Sequence, residues 1–319
     1  LLQAAALAAG QQQHPAGALY VVATPIGNMA DLSLRAIHVL GLVDAVACED
    51  TRVTGGLLQR LGLHRPLLSV HEHNEEGAAR GVIDRLARGE RVAYVSDAGT
   101  PAVSDPGARL VAAVRAAGHR VVPLPGASAV VTALSAAGDT QATQFRFVGF
   151  LPPKTQARAE ALLALADERA SCVLFEAPHR IEALADALAQ HLPERRVTVC
   201  RELTKQFEQI HTLSGAALPA WLAEHADHRR GEFVLVLHGG GAEADAPSAL
   251  LTRSVSLERL LRTLLEALPL KQAAALAAQA SGLPRKPLYQ QALAWRQDDG
   301  GEGGDHPADS AHDEGEPAD

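Results

Sequence analysis

Short continuous apolar runs recur through the first part of the chain, at Leu19 to Ala23, Ala45 to Cys48, Leu67 to Val70, Val92 to Val95 and Val121 to Leu124. Between them lie segments whose apolar positions recur at helical spacing, such as Leu32 to Leu40, Ala78 to Ala87 and Ala108 to Ala117. A strand that is apolar on both faces must be covered on both faces, and alternating helices supply that cover. The pattern therefore predicts an α/β domain built on a parallel sheet, over residues 19–138. After the polar stretch DTQATQ a second series begins: Phe145 to Phe150, a helix from Gln156 to Leu165, Cys172 to Phe175, a helix from Arg180 to Leu192, Val197 to Arg201, Gln209 to Leu213, Ala216 to Ala226 and Glu232 to His238. Two of its strands follow one another with no helix between, so the second sheet, over residues 139–240, is expected to be mixed. A cleft between the two domains is expected.

The ends of the chain read differently. Residues 1–18 have one short apolar run and no basic start, too short to span a membrane, and are expected to form an unstructured leader. Past a Gly/Ala/Asp linker at 241–253, residues 254–296 read as about three short helices with a helix-turn-helix look, with Gly282 at the turn and Arg285 and Lys286 at the start of the next helix. Two cations make a thin basic patch, so RNA contact and simple helical packing both stay open for this extension. Residues 297–319 hold nine of the 37 acidic residues and no Lys or Arg, which leaves 28 acidic against 29 basic residues before them. The net charge of −8 thus belongs to a tail that is expected to be disordered, and the body is nearly neutral.

Only 3% of residues are aromatic, which argues against a platform that binds single strands by stacking. Cys48, Cys172 and Cys200 lie far apart, with neither metal-ligand nor disulfide spacing, which fits a reduced cytoplasmic interior. No P-loop signature occurs, and no strand runs into GxGxxG with an acidic partner, so a P-loop ATPase and an ordinary Rossmann methyltransferase are both unsupported. HGGG at His238 to Gly241 opens into the linker and reads as a hinge. The loops that hold a ligand must be those ending the fourth and fifth strands, Asp97 to Pro101 and Gly126 to Ala129. Gly99, Gly107 and Gly126 there lack a Cβ that would block a ligand's approach, and Pro101, Pro106 and Pro125 fix φ.

The phrases TPIGNMADLSLRA, CEDTR, SVHEHNE, SDAGTPAVSDPG, PLPGASAVVTAL, FEAPHR and ELTKQFE, in this order, resemble the bacterial small-subunit rRNA cytidine 2′-O-methyltransferases, the RsmI branch of the tetrapyrrole-methylase superfamily. The resemblance runs from about Leu19 to about His238 and takes in the helical extension. It implies a two-domain tetrapyrrole-methylase-like fold, S-adenosylmethionine in the interdomain cleft, small-subunit rRNA or the assembled subunit as partner, a homodimer, and no membrane. By carry-over it places Pro25, Gly27, Asp97, Ala98, Gly99, Thr100, Gly126, Ala127, Ser128, Ala129, Phe175, Glu176 and Ala177 around the cofactor. The porphyrinoid-modifying branch has a GDPxxY-like phrase where this chain has SDAGTPAVSDPG, a departure that counts against a tetrapyrrole substrate.

A ribose 2′-hydroxyl is a poor nucleophile at neutral pH, and a nearby carboxylate or neutral His helps by accepting its proton. CEDTR and HEHNE follow predicted strand ends, and from them Asp50, Glu72 and His73 are the candidates for that base. Lys205 is a candidate to lower the hydroxyl's pKa or to pair with phosphate. Arg52, Asn74 and Arg180, with Arg285 and Lys286 of the extension, are assigned to the RNA. Plainer readings stand beside these: Asp50, Thr51 and Asn74 as helix caps, and His71 with His73 as two ligands of a metal that lacks a third. No metal is expected. Two other functions stay open, a methyltransferase of a tetrapyrrole or other small substrate on the same fold, and a ligand-sensing nucleic-acid-binding regulator.

Overall fold

A computed structural model describes residues 1–71, 74–240, 260–265, 268–281 and 284–299. The chain divides into two compact units, Leu1–Gly241 and Ala242–Asp319. The first holds both predicted sheets. Strands β1 (Ala18–Val22), β2 (Ala45–Cys48), β3 (Leu67–Ser69), β4 (Val92–Val95) and β5 (Arg120–Leu124) pair in parallel in the order β3-β2-β4-β1-β5. Every residue of β2 and β4 is buried, as their continuous apolar runs require. On one face Tyr20, Val22, Val46 and Val95 pack with α2 (Leu34–Leu42) and with Leu58 of α3 (Thr51–Arg60). On the other, Leu19, Ala47 and Tyr94 pack with α4 (Glu75–Ala87) and α5 (Ala108–Ala116). Gly55 and Gly56 weaken the sequence signal for α3, which is secured by its Asp50 cap and by burial of Leu58.

The leader differs from expectation. Leu2–Ala9 form a helix, α1, whose Ala5 and Ala9 are buried, Ala5 in the same core as Ala36, Ile37 and Leu40 of α2. Its alanines let the two helix backbones approach closely without long side chains. The segment that follows is fixed by polar contacts: Tyr20 Oη donates to Pro15 O at 2.8 Å and Arg91 Nε to His14 O at 3.0 Å.

In the second sheet β6 (Phe145–Phe150), β7 (Ser171–Glu176), β8 (Arg196–Arg201), β9 (Gln209–Ser214) and β10 (Phe233–Leu237) take the order β6-β7-β10-β8-β9. Only β6 and β7 are parallel, so the sheet is mixed. One face packs on α7 (Thr155–Leu163), α8 (Ile181–His191) and α9 (Leu218–Glu224). The other is covered by α6 (Ala129–Ala137), whose Val130, Ala133 and Ala137 join Val173, Cys200, Val234 and Val236. Helix α6 follows the last strand of the first sheet yet packs against the second.

Where α6 ends, Gly138 turns left-handed (φ 63°) and hands the chain to Asp139. The Asp139 carboxylate accepts from Gly239 N (2.7 Å), Ser171 Oγ (2.8 Å), Gln141 N (3.0 Å) and Ala142 N (3.3 Å). It therefore ties the entry to the second sheet to the end of β10. In the second unit, residues 260–265 are helical, and α10 (Leu270–Ser281) and α11 (Arg285–Asp299) share a core of Leu261, Leu270, Ala273, Ala277, Leu288 and Ala292. Helix α11 continues past residue 296 to Asp299, so the expected tail begins later than its composition implies. The linker at 241–253 and the tail from 300 lie outside the described residues. Among the described residues, no helix is long and apolar enough to cross a membrane.

Asp139 gives a test of this junction. Burial opposes its charge, but the hydrogen bonds from Gly239, Ser171, Gln141 and Ala142 outweigh it and lower its pKa from 3.8 to about 2. A carboxylate held below its unfolded pKa stabilises the fold fully above the unfolded value and loses that contribution as pH falls through the folded one. Acid titration is thus expected to remove stability between about pH 4 and pH 2, and Asp139→Asn to flatten that limb. Asp139→Ala, which strands four donors, is expected to cost about 3 kcal/mol, or roughly 10 °C in Tm. Thermal unfolding of the three proteins across that pH range measures both effects.

Candidate active site

A parallel sheet brings the carboxyl ends of its strands to one edge, and in an open α/β sheet that edge carries the ligand. Here two backbone hydrogen bonds join the loop after β1 to the loop after β4: Thr24 N donates to Gly99 O (2.9 Å) and Gly99 N to Thr24 O (3.0 Å). Side chains reinforce the tie, with Thr24 Oγ1 donating to Ser96 O (3.0 Å) and Ser96 Oγ to Gly99 O (3.0 Å). Thr100 Oγ1 then donates to Ala127 O (2.9 Å), which links the loop after β5. Gly99 has φ of 82°, and a Cβ on it would press Ile26 Cγ2 at 3.2 Å, so glycine is required there by backbone and neighbour together.

The far end of the loop after β4 is held as firmly. Glu75, buried at the start of α4, accepts from Gly107 N (3.1 Å) and Leu110 N (3.0 Å), capping α5 from another helix. Tyr94 Oη donates to Pro106 O at 2.6 Å. Gly107, at φ 126°, lies against the Tyr94 ring.

The tied loops stand between two cavities. The first, about 380 Å³, is lined by Ala98, Gly99 and Thr100, by Val103, Ser104 and Asp105 further along the same loop, and by Ser128, Ala129 and Val130 at the start of α6. Its opposite wall is Phe150, Phe175, Glu176, Cys200 and Val234 of the second sheet with Ala177, Leu203 and Glu232 in the turns beside it. No side chain caps the first turn of α6, which opens on this space. Glu176 is buried: its Oε1 accepts from Ala177 N (2.9 Å) and lies 3.0 Å from Arg180 Nε, while its Oε2 has no hydrogen-bond partner. The second cavity, about 370 Å³, is lined by Thr24, Pro25, Gly27, Arg52, Arg60 and Asp97 among others.

The predicted cofactor residues therefore divide. Ala98, Gly99, Thr100, Ser128, Ala129, Phe175, Glu176 and Ala177 line the first cavity, whereas Pro25, Gly27 and Asp97 line the second. Gly126 and Ala127 line neither. A Cβ on Gly126 would lie 2.7 Å from Ala23 Cβ, so that glycine serves the contact between two strand ends rather than a ligand's approach. Gly27 faces the second half of the unit, against Lys205 and 2.9 Å from Thr204 Oγ1 if given a Cβ. The loop it meets holds Glu202 and Thr204 at positive φ (53° and 67°).

The expected catalytic residues divide as well. Asp50 caps α3, accepting from Arg52 N (2.8 Å), and pairs with the Arg52 guanidinium at 2.6 Å. That pairing holds its pKa at about 2, so it is a poor proton acceptor and an anchor for Arg52 instead. Lys205 binds Glu202 (2.8 Å) and Glu232 (2.9 Å); burial opposes its charge, but these bonds prevail and raise its pKa. It lines neither cavity and braces the loop that meets Gly27. Asn74 spends its amide locally, accepting from His71 N (2.8 Å) and donating to Ser69 O (3.1 Å), without capping α4 through its side chain. Glu72 and His73 lie outside the described residues. Arg180 reaches Leu151 O and Glu176 behind the first cavity. In the other unit Arg285 donates to Lys271 O (3.0 Å), and Lys286 is exposed.

Sequence reasoning passed over Asp105, Cys200, Leu203, Glu232 and Phe150 in the cavity wall. The repeated Ser-Asp pair of SDAGTPAVSDPG was the available signal for Asp105; the others sit on strands or turns with no chemical signature. Burial pushes the Cys200 thiol up to about 12, and the nearby Glu208 charge adds to this, so it stays protonated. Burial also raises Glu49, with the charges of Asp97 and Asp105 adding to the effect.

Residues 18–219 match the family described as Tetrapyrrole (Corrin/Porphyrin) Methylases, and residues 252–296 match the RsmI C-terminal HTH domain. A ribosomal RNA small subunit methyltransferase I of Escherichia coli O157:H7 is 46% identical over 279 residues, 87% of this chain and 95% of that protein. One from Pseudomonas aeruginosa is 47% identical over 279 residues, covering 87% and 97%. Among solved structures, a cobalt precorrin-4 methyltransferase superposes with a TM-score of 0.53 at 18% identity, over 70% of this chain and 98% of that one, and a diphthine synthase with 0.53 at 14%, over 69% and 90%. These structural likenesses establish the shared fold, while the sequence relatives establish the branch. With its tied strand-end loops and its C-terminal helical module, the chain belongs to the ribosomal RNA small subunit methyltransferase I family of the tetrapyrrole methylases.

Proposed function

We propose that the protein transfers a methyl group from S-adenosylmethionine to the ribose 2′-hydroxyl of a cytidine in the decoding region of small-subunit rRNA. The observation that carries this reading is the pair of cavities on either side of one tied loop. One is largely apolar and lies between the two sheets; the other is edged by Arg52 and Arg60.

The first cavity fits the cofactor chemically. Its walls from Phe150, Phe175 and Val234 suit a ring, the uncapped start of α6 suits a carboxylate, and the buried Glu176 Oε2 lacks a donor that an ammonium or an adenine amino group would supply. S-adenosylmethionine supplies an electrophilic methyl group on a sulfonium. Residues Ala98 to Thr100, Ser128, Ala129 and Phe175 to Ala177 would hold it. Alignment of nucleophile and methyl carbon between the two sheets then supplies much of the rate. Arg52, oriented by Asp50, offers a cation for an RNA phosphate at the second cavity. The reading includes a cytoplasmic homodimer acting on rRNA or on the assembled subunit, with the helical unit contributing RNA contacts through Arg285 and Lys286.

Mapping of 2′-O-methylation on small-subunit rRNA from cells with and without the gene tests the reading directly, and one cytidine is expected to lose its mark. Methyl label appearing only in a small-molecule extract would sink it in favour of a small substrate. Calorimetry is expected to find S-adenosylmethionine binding without RNA, weakened about tenfold or more in Glu176→Gln, since the carboxylate's charge toward its donors is lost. Arg52→Ala is expected to leave that affinity unchanged, to weaken RNA binding, and to reduce the salt slope of binding by about 1.

A further inference from the structure

We propose that Asp105 is the general base of this site, its carboxylate taking the proton of the attacking ribose 2′-hydroxyl. The assignment rests on the functional reading above and names a residue that it left without a role. Three carboxylates line the first cavity: Asp105, Glu176 and Glu232. Glu176 has one oxygen against Arg180 and the other assigned above to the cofactor, and Glu232 binds Lys205, so neither is free to take the proton. Among the described residues, Asp105 alone of the three has no ion-pair partner.

Its position is set by the loop that carries it. One end is pinned by the Thr24–Gly99 bonds and by Thr100 on Ala127, the other by Tyr94 on Pro106 and Glu75 on Gly107. Between these anchors Ala102 adopts φ of 63°, a conformation that disfavours any residue with a Cβ, so the path is imposed by the anchors. A pre-positioned carboxylate loses no freedom on reaching the reactive geometry. Burial raises the Asp105 pKa, Ser96 opposes this, and the Asp97 charge adds to it. That direction makes its carboxylate a stronger proton acceptor than an exposed aspartate.

The step balances without any further reagent. The O2′–H bond breaks and its proton passes to Asp105. A lone pair on O2′ forms the bond to the methyl carbon, and the electrons of the sulfur–methyl bond remain on sulfur, leaving a neutral thioether. Asp105 then returns its proton to solvent.

Asp105→Asn preserves the shape and removes the base. Under single-turnover conditions with saturating S-adenosylmethionine and small subunits, its methyl transfer at pH 7 is expected to fall about a hundredfold or more. Its calorimetric affinity for S-adenosylmethionine should stay within threefold. The wild-type rate should rise with pH through the Asp105 titration, a limb that the variant lacks. The charged and titratable side chains around it are Asp97 on the same loop, Glu49 after β2, Tyr94 on β4 and Glu75 on α4, with Cys200, Glu176, Glu232 and the paired Arg180 and Lys205 across the cavity; all are kept in both proteins.

Thermal unfolding gives a reading independent of activity. A carboxylate whose folded pKa is raised costs stability above that pKa and nothing below its unfolded one, so Asp105→Asn should melt no lower than wild type at pH 7, any gain vanishing in acid. A variant rate within threefold of wild type overturns the assignment, as does a loss of rate matched by an equal loss of cofactor affinity, which would make Asp105 a cofactor anchor. A fall in Tm at pH 7 would make it structural. If the wild-type protein binds S-adenosylmethionine but methylates no RNA, the functional reading fails and the base assignment fails with it.

Discussion

The two backbone hydrogen bonds between Thr24 and Gly99 decide where the rest of the site lies. Strand ends of a parallel sheet leave their loops free to spread, and here the loops after β1 and β4 are instead held together at Thr24 and Gly99. Everything beyond that tie is directed by it: Ile26 to one cavity, Pro25 and Gly27 to the other, and the long loop 99–107 across the mouth of the first. The tie works because Gly99 occupies a left-handed conformation beside Ile26, where no other residue fits without strain.

Electrostatics separate the two sides of that loop. On the side between the two sheets, Glu176 is buried against Arg180 while Glu232 meets Lys205 at the exposed rim, and burial pushes Asp105 and Cys200 toward their neutral forms. On the other side Asp50 and Arg52 meet where the Arg52 side chain is 89% exposed, and the carboxylate stays ionised. A largely apolar space between the sheets beside one edged by arginines suits a small organic ligand next to a polyanion. The same division explains why Lys205, conspicuous in the sequence, is a brace: a lysine bound to two carboxylates has little charge left to offer.

The sheets were legible because strands buried on both faces leave continuous apolar runs, and β2 and β4 match theirs residue for residue. The strand-end loops were legible because glycine and proline cluster where a helix or strand cannot continue. What each glycine faces was not, since the absence of a side chain says only that something is close. Gly99 meets Ile26 beside a cavity, Gly27 meets a loop of the other sheet, and Gly126 meets Ala23. Helix α1 escaped notice because alanine packing leaves no amphipathic contrast, and α6 was read with the sheet it follows because sequence order does not record which face a helix covers. Asp50 and Asp105 are the same residue type in similar polar phrases, and only their neighbours, a guanidinium for one and a half-buried loop for the other, set them apart.

The contact between Gly126 and Ala23 binds the histories of two distant positions. With 2.7 Å between Ala23 Cβ and the place a Cβ at 126 would occupy, the two sites share room for a single methyl group. A carbon added at 126 meets the Ala23 methyl unless that methyl is removed, so the two positions are coupled in what they accept. At this edge of the sheet residues 23 and 126 therefore act as one unit of volume, and a change at either is felt at the other.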